Sequence, residues 1–426
     1  MKCHNLEPLK LFAAYGASQG AGHLLTTVFA TTVYDQRSSA VLAGAVLGLN
    51  YLPSALLTSV IGPWVDGHGS RRTLAGIEVG SLALTLLCVL VAAVSPSLPA
   101  LFALLSLRAV LMATARSGYA RWLKLISPPA TQARRMKLFT LTFMSASTLA
   151  GLLAWAVLLG PPSGLFIRLG LAAALLHLAA VAGVGLLRKL PGAAPGARRA
   201  AVRSDSLLSA LRSIRESRPL RESCLAVIFS QATFQAGYLG LIVLLPVIGG
   251  LGPGGAGLCQ FAGSVGLLGG FVIAFTRSRL IWAGGSARRL PCLAAAAVGA
   301  AALLAAVLAP APWSLGALAV MLLAYEVVFL PHQAAYFQAS PPERTGQYQN
   351  LLSSVGGLLM ALTCVLFAAL CEAVGPAAGA LAFLALLGAA GASAWLVSRP
   401  RPADQPAPDL AVTIGAMRSG ALPVSR

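Results

Sequence analysis

Charge is what this sequence has least of. Asp, Glu, Lys and Arg make up only 10% of its 426 residues, with 12 acids against 31 bases. Soluble domains carry about 25% charged residues, so a chain wetted over its whole surface is excluded. Histidine is scarce too: the five present are scattered too widely for a metal site. The seven cysteines show no C-x-x-C spacing. Cys88, Cys224, Cys259, Cys292 and Cys364 fall in or beside apolar runs and read as small buried hydrophobes, not as disulfide or zinc ligands. No Walker loop, G-x-S-x-G elbow or paired metal ligand occurs, so ATP-driven and hydrolytic chemistry are not expected and the chain reads as a non-enzyme without cofactor. The start, "MKCHNLEPLK", leads into an apolar run too long for a signal-peptide core, with no small-residue cleavage site after it. That first run is expected to stay.

What is present instead is apolar sequence: 57% hydrophobic residues and a mean hydropathy of +0.80. Crossing the hydrocarbon layer takes about 20 apolar residues in a helix. About twelve such runs are expected, at 11–33, 40–61, 73–95, 99–122, 138–160, 164–187, 223–248, 255–275, 291–309, 313–336, 350–371 and 376–397. None alternates apolar and polar residues as a barrel strand would. The fold class is therefore an all-α polytopic membrane protein.

The net charge of +19 is placed in alternate loops. Lys2 and Lys10, Arg71 and Arg72, Lys124 to Lys137, Arg188 to Arg221, Arg277 to Arg289, Arg344 and the tail all fall on one side, whereas the other side has little beyond Arg37 and Arg168. Positive loops mark the cytoplasmic side, so both termini are expected inside. No basic module interleaved with aromatics suggests nucleic acid.

Residues 188–222 form the longest polar segment and divide the runs into a half at 1–187 and a half at 223–397, with a Pro-rich tail at 398–426 that reads as disordered. Within the linker, Leu207, Leu208, Leu211 and Ile214 share one helical face among arginines, the pattern of a short helix in the membrane interface. "SPPATQARR" at 127–135 and "SPPERTGQY" at 340–348 follow the fourth and tenth runs, a faint sign of duplicated halves.

Between the second and third runs stands "GPWVDGHGSRRTL", residues 62–74. It resembles the loop signature of the major facilitator superfamily, G-x-L-x-D-x-x-G-R-[RK]-x-x-L: Gly62, Asp66, Gly69, Arg71, Arg72 and Leu74 match, whereas Trp64 stands where Leu is usual and Gly67 and Ser70 replace common arginines. A second signature, L-x-x-x-R-x-x-Q-G, is matched by Leu104 and Arg108 but not by Leu111 and Met112. The layout around "LISPPATQARR" looks most like the drug- and siderophore-exporting branch, with its enterobactin- and macrolide-efflux-type members. The resemblance implies two six-helix pseudo-repeats around a central cavity lined by runs one, four, seven and ten. It also implies that Asp66 latches the first half onto the N-terminus of a helix opposite, where the dipole suits a carboxylate. Asp66 at a helix end can also accept bonds from nearby amides and from Arg71 or Arg72; the alternative is a turn that only sets topology, with glycines for tightness and arginines for orientation.

A charge at mid-bilayer costs about 2.5–3.5 kcal/mol on insertion scales, so each one needs a reason. Arg108 and Glu326 sit at mid-depth of the fourth and tenth runs; the first offers Gln19 and His23, the seventh Gln231, Gln235 and Tyr238. These seven are the expected substrate and proton cavity. Glu326 is placed to exchange a proton, and Arg108 either holds an anionic substrate, tunes Glu326, or forms a structural pair with it. His23 alone reads as a packing residue, Glu78 as an ion-pair partner of Arg71, and Arg116, Arg121 and Lys124 as snorkelling bases.

The expected function is a secondary active transporter of the bacterial inner membrane. It would be monomeric, driven by the proton gradient, and export a small amphiphilic drug- or siderophore-like compound by alternating access. The alternative is uptake of a small metabolite. Its support is the run "AGLLAWA", where exporters of the family carry G-P-x-x-G-G: Gly151 is present, but Leu152 replaces proline and Trp155 replaces glycine. A non-transporting membrane sensor is a third reading, and neither the linker nor the tail looks like its output domain.

Overall fold

The structure, a computed structural model, describes residues 6–37, 39–49, 52, 56–68, 70–94, 97–158, 164–188, 207–248, 251, 255–276 and 289–397. Residues 189–206 of the linker and the 398–426 tail lie outside them. The chain divides into Met1–Leu384 and Ala385–Arg426, whose described part is the end of the last helix.

All described elements are helical. In order they are α1 (Glu7–Arg37), α2 (Ala40–Leu49), α3 (Thr58–His68), α4 (Arg71–Val94), α5 (Leu98–Leu125), α6 (Gln132–Leu158), α7 (Leu165–Gly185) and α8 (Leu207–Glu216). Then come α9 (Arg218–Ser230), a π-helical turn at Gln231–Gln235, α10 (Ala236–Ile248), α11 (Gly255–Thr276), α12 (Arg289–Leu308), α13 (Ala311–Ala339), α14 (Thr345–Val374) and α15 (Pro376–Val397). Each of the twelve expected runs overlaps helix; the second, 40–61, is divided between α2 and α3, with residues 50, 51 and 53–55 outside the described ones. Among the described residues eight helices are long and apolar enough to cross a membrane. α1, at 31 residues, is interrupted in its apolar character by Gln19, His23 and a series of threonines, while α12 and α15 contribute shorter apolar stretches, Leu293–Leu308 and Pro376–Ala389.

The polarity of α4 shows what surrounds the bundle. Its buried face carries Glu78, Ser81 and Thr85, while Leu86, Leu87 and Leu90 stand exposed, with Val94 at 75%. A helix that hides hydroxyls and a carboxylate and presents leucine outward faces lipid, not water. The breaks between helices have local causes. Ser97 caps α5 by accepting from the Ala100 amide, with proline in the first turn. The two Ser-Pro-Pro segments both end a long helix and start a 3₁₀ turn, Pro129–Thr131 and Pro342–Arg344, because proline cannot extend the preceding ladder.

α1 packs on α6 and α7, α4 on α5 and α7, and α13 on α11 and α12. The two expected halves meet mainly through α2 and α3 against α14, and through α6 against α11. Aromatic packing fixes both ends of α1: Tyr15 stacks on Phe139 at 3.8 Å, and Phe29 meets Phe102 edge-on at 5.2 Å. In the linker the expected interfacial helix forms as α8, but its buried side is Ala210 and Ile214, with Leu211 exposed. The buried Cys88, Cys224, Cys259, Cys364 and Cys371 are unbridged thiols.

Candidate functional site

A single cavity gathers all seven residues expected from the sequence: Gln19, His23, Arg108, Gln231, Gln235, Tyr238 and Glu326. It encloses about 1480 Å³ of empty space, open solvent at its mouth included. Ladder geometry brings them together. Arg108, Met112 and Arg116 recur every four residues along one stripe of α5, and all three line the cavity. Gln231 and Gln235 are the two ends of the π-helical turn, a local widening that often marks functional sites. Glu326 lies just over one turn before Pro331, which interrupts the hydrogen-bond ladder of α13.

The polar wall is partly tied down. Tyr325 donates to Gln235 (3.2 Å), Thr140 to Gln333 (2.8 Å) and Thr27 to Gln260 (2.6 Å), and Gln260 in turn donates to the Ser147 carbonyl (3.3 Å). Thr27 with Gln260, and Thr140 with Gln333, bridge helices of opposite halves. Other atoms have nothing to bond. The buried Nε2 of Gln19, Nε2 of His23 and Nε of Arg108 and Arg116 have no hydrogen-bond partner, nor do Oε1 of Gln231 and both carboxyl oxygens of Glu326. Buried polar groups are normally satisfied; these exceptions all belong to residues that line the one cavity.

Arg108 does not pair with Glu326. Its Nη2 stands 3.2 Å from His177 Nε2, and His177 Nδ1 stands 3.0 Å from Glu78 Oε2, all three side chains being buried. A guanidinium only donates, so Nε2 of His177 accepts and Nδ1 carries the proton that Glu78 receives. Tyr119 donates to the other Glu78 oxygen at 3.0 Å. Glu78 thus does not pair with Arg71, which caps the end of α7 through the carbonyls of Gly185 and Leu187 (3.2 and 2.9 Å). The sequence held a signal for His177, since a histidine in the middle of an apolar run demands a partner.

The motif residues separate. Gly62 and Asp66 lie on α3 and not in a loop, Gly69 is outside the described residues, and Arg72 is exposed. Asp66 accepts from the amides of Gly346 (2.9 Å) and Gln347 (2.8 Å) at the start of α14. Its cationic neighbour is Arg121, whose Nε is 3.4 Å away, not Arg71 or Arg72. Burial pushes the Asp66 carboxyl up to about 6, although the Gln347 and Gly346 amides and Arg121 favour its charged form. The approach requires glycine: a Cβ on Gly62 would stand 2.7 Å from Gln347 Cα, and one on Gly346 would stand 2.6 Å from Asp66 Oδ1.

Beside this grip, Lys124 reaches the other arm of the same hairpin, just before its turn. Its ammonium donates to the carbonyls of Phe337 and Ser340 at the end of α13, bonds Ser340 Oγ at 3.0 Å, and lies 4.9 Å from the centre of the Phe337 ring. Neither Arg121 nor Lys124 snorkels toward solvent; both are spent on contacts with the other half or with Asp66. Arg116 lines the cavity.

Comparison with known proteins bears on this geometry. The family model described as the Major Facilitator Superfamily matches residues 11–364. No curated protein matches the sequence. Among solved structures the fold is similar to the xylose transporter XylE from E. coli, with TM-score 0.68, 12% identity, 94% of this chain and 99% of that one covered. It is also similar to the human organic anion transporter MFSD10 (0.64, 15%, 92% and 99%) and to the E. coli fucose:proton symporter FucP (0.61, 14%, 94% and 100%). At these identities the likeness is one of fold.

Proposed function

The chain belongs to the Major Facilitator Superfamily, and from that premise we propose that it is a proton-coupled exporter of a small amphiphilic compound, working by alternating access as a monomer in a bacterial inner membrane. The observation that carries this reading is Glu326: fully buried, facing the cavity, with neither oxygen bonded. A carboxylate there would be an unpaired charge away from water, so the group carries its proton in this state. Transport against a gradient without ATP needs one such group whose proton leaves when the cavity changes sides. The end of the molecule that holds Asp66, Lys124 and Arg71 is the basic end, and the positive-inside rule makes it cytoplasmic. The drug- or siderophore-type branch follows from the "LISPPATQARR" resemblance.

Uptake is the second reading, and the sixth helix favours it. α6 runs unbroken from Gln132 to Leu158 through Leu152, without the proline typical of exporters, and Gly151 serves close contact: a Cβ there would sit 2.7 Å from the Phe261 amide. Proteoliposomes separate the readings. With ethidium as the probe, an imposed pH gradient should drive accumulation by the native protein, and the sign of that gradient gives the direction. Glu326→Gln should abolish the accumulation and keep downhill exchange. If the variant answers the gradient fully, the proton is carried elsewhere.

A further inference from the structure

The unsatisfied atoms of the cavity are sorted by element. On the wall formed by α1 and α5 all four are nitrogens: Gln19 Nε2, His23 Nε2, Arg108 Nε and Arg116 Nε. Among the residues of the π-helical turn and α13 all three are oxygens: the two of Glu326, and Gln231 Oε1, which lies against Gly356 of α14. His23 lies within electrostatic reach of both guanidiniums, and Gly22 beside it packs against Met112 and Arg108, since a Cβ there would stand 3.3 Å from Met112 Cε and 3.7 Å from Arg108 Nη2. One wall therefore asks for hydrogen-bond acceptors and negative charge, the other for donors and positive charge.

Fixed charges agree with this sorting. On the first wall the guanidiniums of Arg108 and Arg116 are set against one carboxylate, Glu78, which is itself engaged by His177 and Tyr119. On the second wall no cation among the described residues pairs with Glu326. Of the helices packed against α13, α10 and α11 have no charged residue, and the charged residues of α6, α9 and α12 fall in their first two turns: Arg134, Arg135 and Lys137; Arg218, Arg221 and Glu222; Arg289. On α13 itself the nearest titratable side chain, Tyr325, points its hydroxyl to Gln235. The same cavity is also lined by Phe139, Phe143, Tyr238 and Phe329, a surface for an apolar body.

We propose that the cavity takes a zwitterion in one orientation: an anionic group on Arg108, Arg116 and His23, an aromatic or alicyclic body in the middle, and an ammonium group on Glu326 and Gln231. This rests on the transporter reading and narrows its substrate class. It also supplies the exchange that reading requires. The ammonium approaches the Glu326 carboxylic acid, the acid releases its proton to water in the cavity, and the resulting carboxylate pairs with the ammonium. One proton leaves for each substrate bound, with no other charge moved.

The test uses four compounds on one ring: 4-(aminomethyl)benzoic acid, its N-acetyl acid, its methyl ester, and the N-acetyl methyl ester, which present both charges, the anion, the cation or neither. Binding to the purified full chain is measured by titration calorimetry. The zwitterion should bind about tenfold or more tighter than either singly charged compound, and the neutral one weakest. Arg108→Gln should erase the advantage of a free carboxylate and keep that of a free amine; Glu326→Gln should do the reverse. Arg108→Lys, which keeps the charge, should retain the carboxylate preference and so separates binding from misfolding. Equal binding of all four, no binding by any, or loss of both preferences in both single variants overturns the proposal. Gradient-driven ethidium transport is scored separately: if it persists while the four-compound pattern fails, the substrate class is wrong and the transport reading stands; if the pattern holds while Glu326→Gln keeps full coupling, the reverse is true.

Discussion

The two ends of the α2–α3/α14 interface carry the same device with the roles exchanged. At the basic end Asp66, from α3, accepts two amides at the start of α14. At the far end Glu372, from α14, accepts the Val41 amide (3.1 Å) and the Ser39 hydroxyl (3.4 Å) at the start of α2. Each places a carboxylate on a helix N-terminus across the interface, where partial positive charge gathers. They differ in surroundings. Asp66 is 7% exposed, joined by Arg121, with Lys124 clasping the neighbouring helix end; Glu372 is exposed to solvent. A buried charged hydrogen bond contributes about 1.5–3 kcal/mol, whereas an exposed charge at a helix end contributes about 0.3–1 kcal/mol. One geometry therefore makes a strong grip at one end and a weak one at the other, and burial sets the difference.

The sharpest way to break this asymmetry is to remove Asp66. Asp66→Ala leaves two amides and the Arg121 guanidinium without their acceptor, so the basic end should open by about 3 kcal/mol, on the order of a hundredfold in population. A cysteine introduced at Ser353, on the cavity wall, should then react with a maleimide added on the basic side far faster than in the parent; an unchanged rate would show that the grip does not hold that end. Lys124→Met should come next. It keeps the stem packed on Phe337 but gives up the bonds to Phe337 and Ser340, and spin labels at the ends of α5 and α13 should separate with roughly tenfold more open population.

A smaller effect comes from pH. Because burial raises the Asp66 carboxyl from 3.8 to about 6, the gripped end binds a proton more tightly than an open end in which the carboxyl meets water. The proton's contribution to the grip is complete below about 3.8 and is lost as pH rises through about 6. Once corrected for the falling thiolate fraction with a free thiol measured in parallel, acidifying from pH 7 to 5 should therefore slow labelling at Ser353→Cys, by no more than tenfold per unit, and Asp66→Asn should flatten the corrected profile. Glu372→Gln should matter least, shifting access from the far end only a few-fold; a change as large as that of Asp66→Ala would contradict the burial argument.

Legibility followed the same line between local and distant causes. The helical runs could be read because lipid imposes a long, unbroken apolar pattern that short stretches of sequence reveal. The seven cavity residues could be named because a polar residue in such a run is costly and rarely idle. Pairings could not be read. Arg121, not Arg72, stands by Asp66; His177, not Glu326, engages Arg108; and Lys124 reaches another helix end instead of the interface. All three partners lie on helices distant in sequence, brought near by packing.

By itself, then, the sequence determined that this is a helical membrane protein with its basic residues on one side, a glycine- and acid-bearing motif after the second run, and polar residues on four of its helices. Those are consequences of composition and period, which act along the chain. Only the tertiary structure decided that the orphan nitrogens belong to one set of helices and the orphan oxygens to another, that Glu326 has no cation partner among the described residues, and that Asp66 is buried where Glu372 is not. The electrostatics of a site depend on distance and on the exclusion of water, and neither exists until the helices have packed.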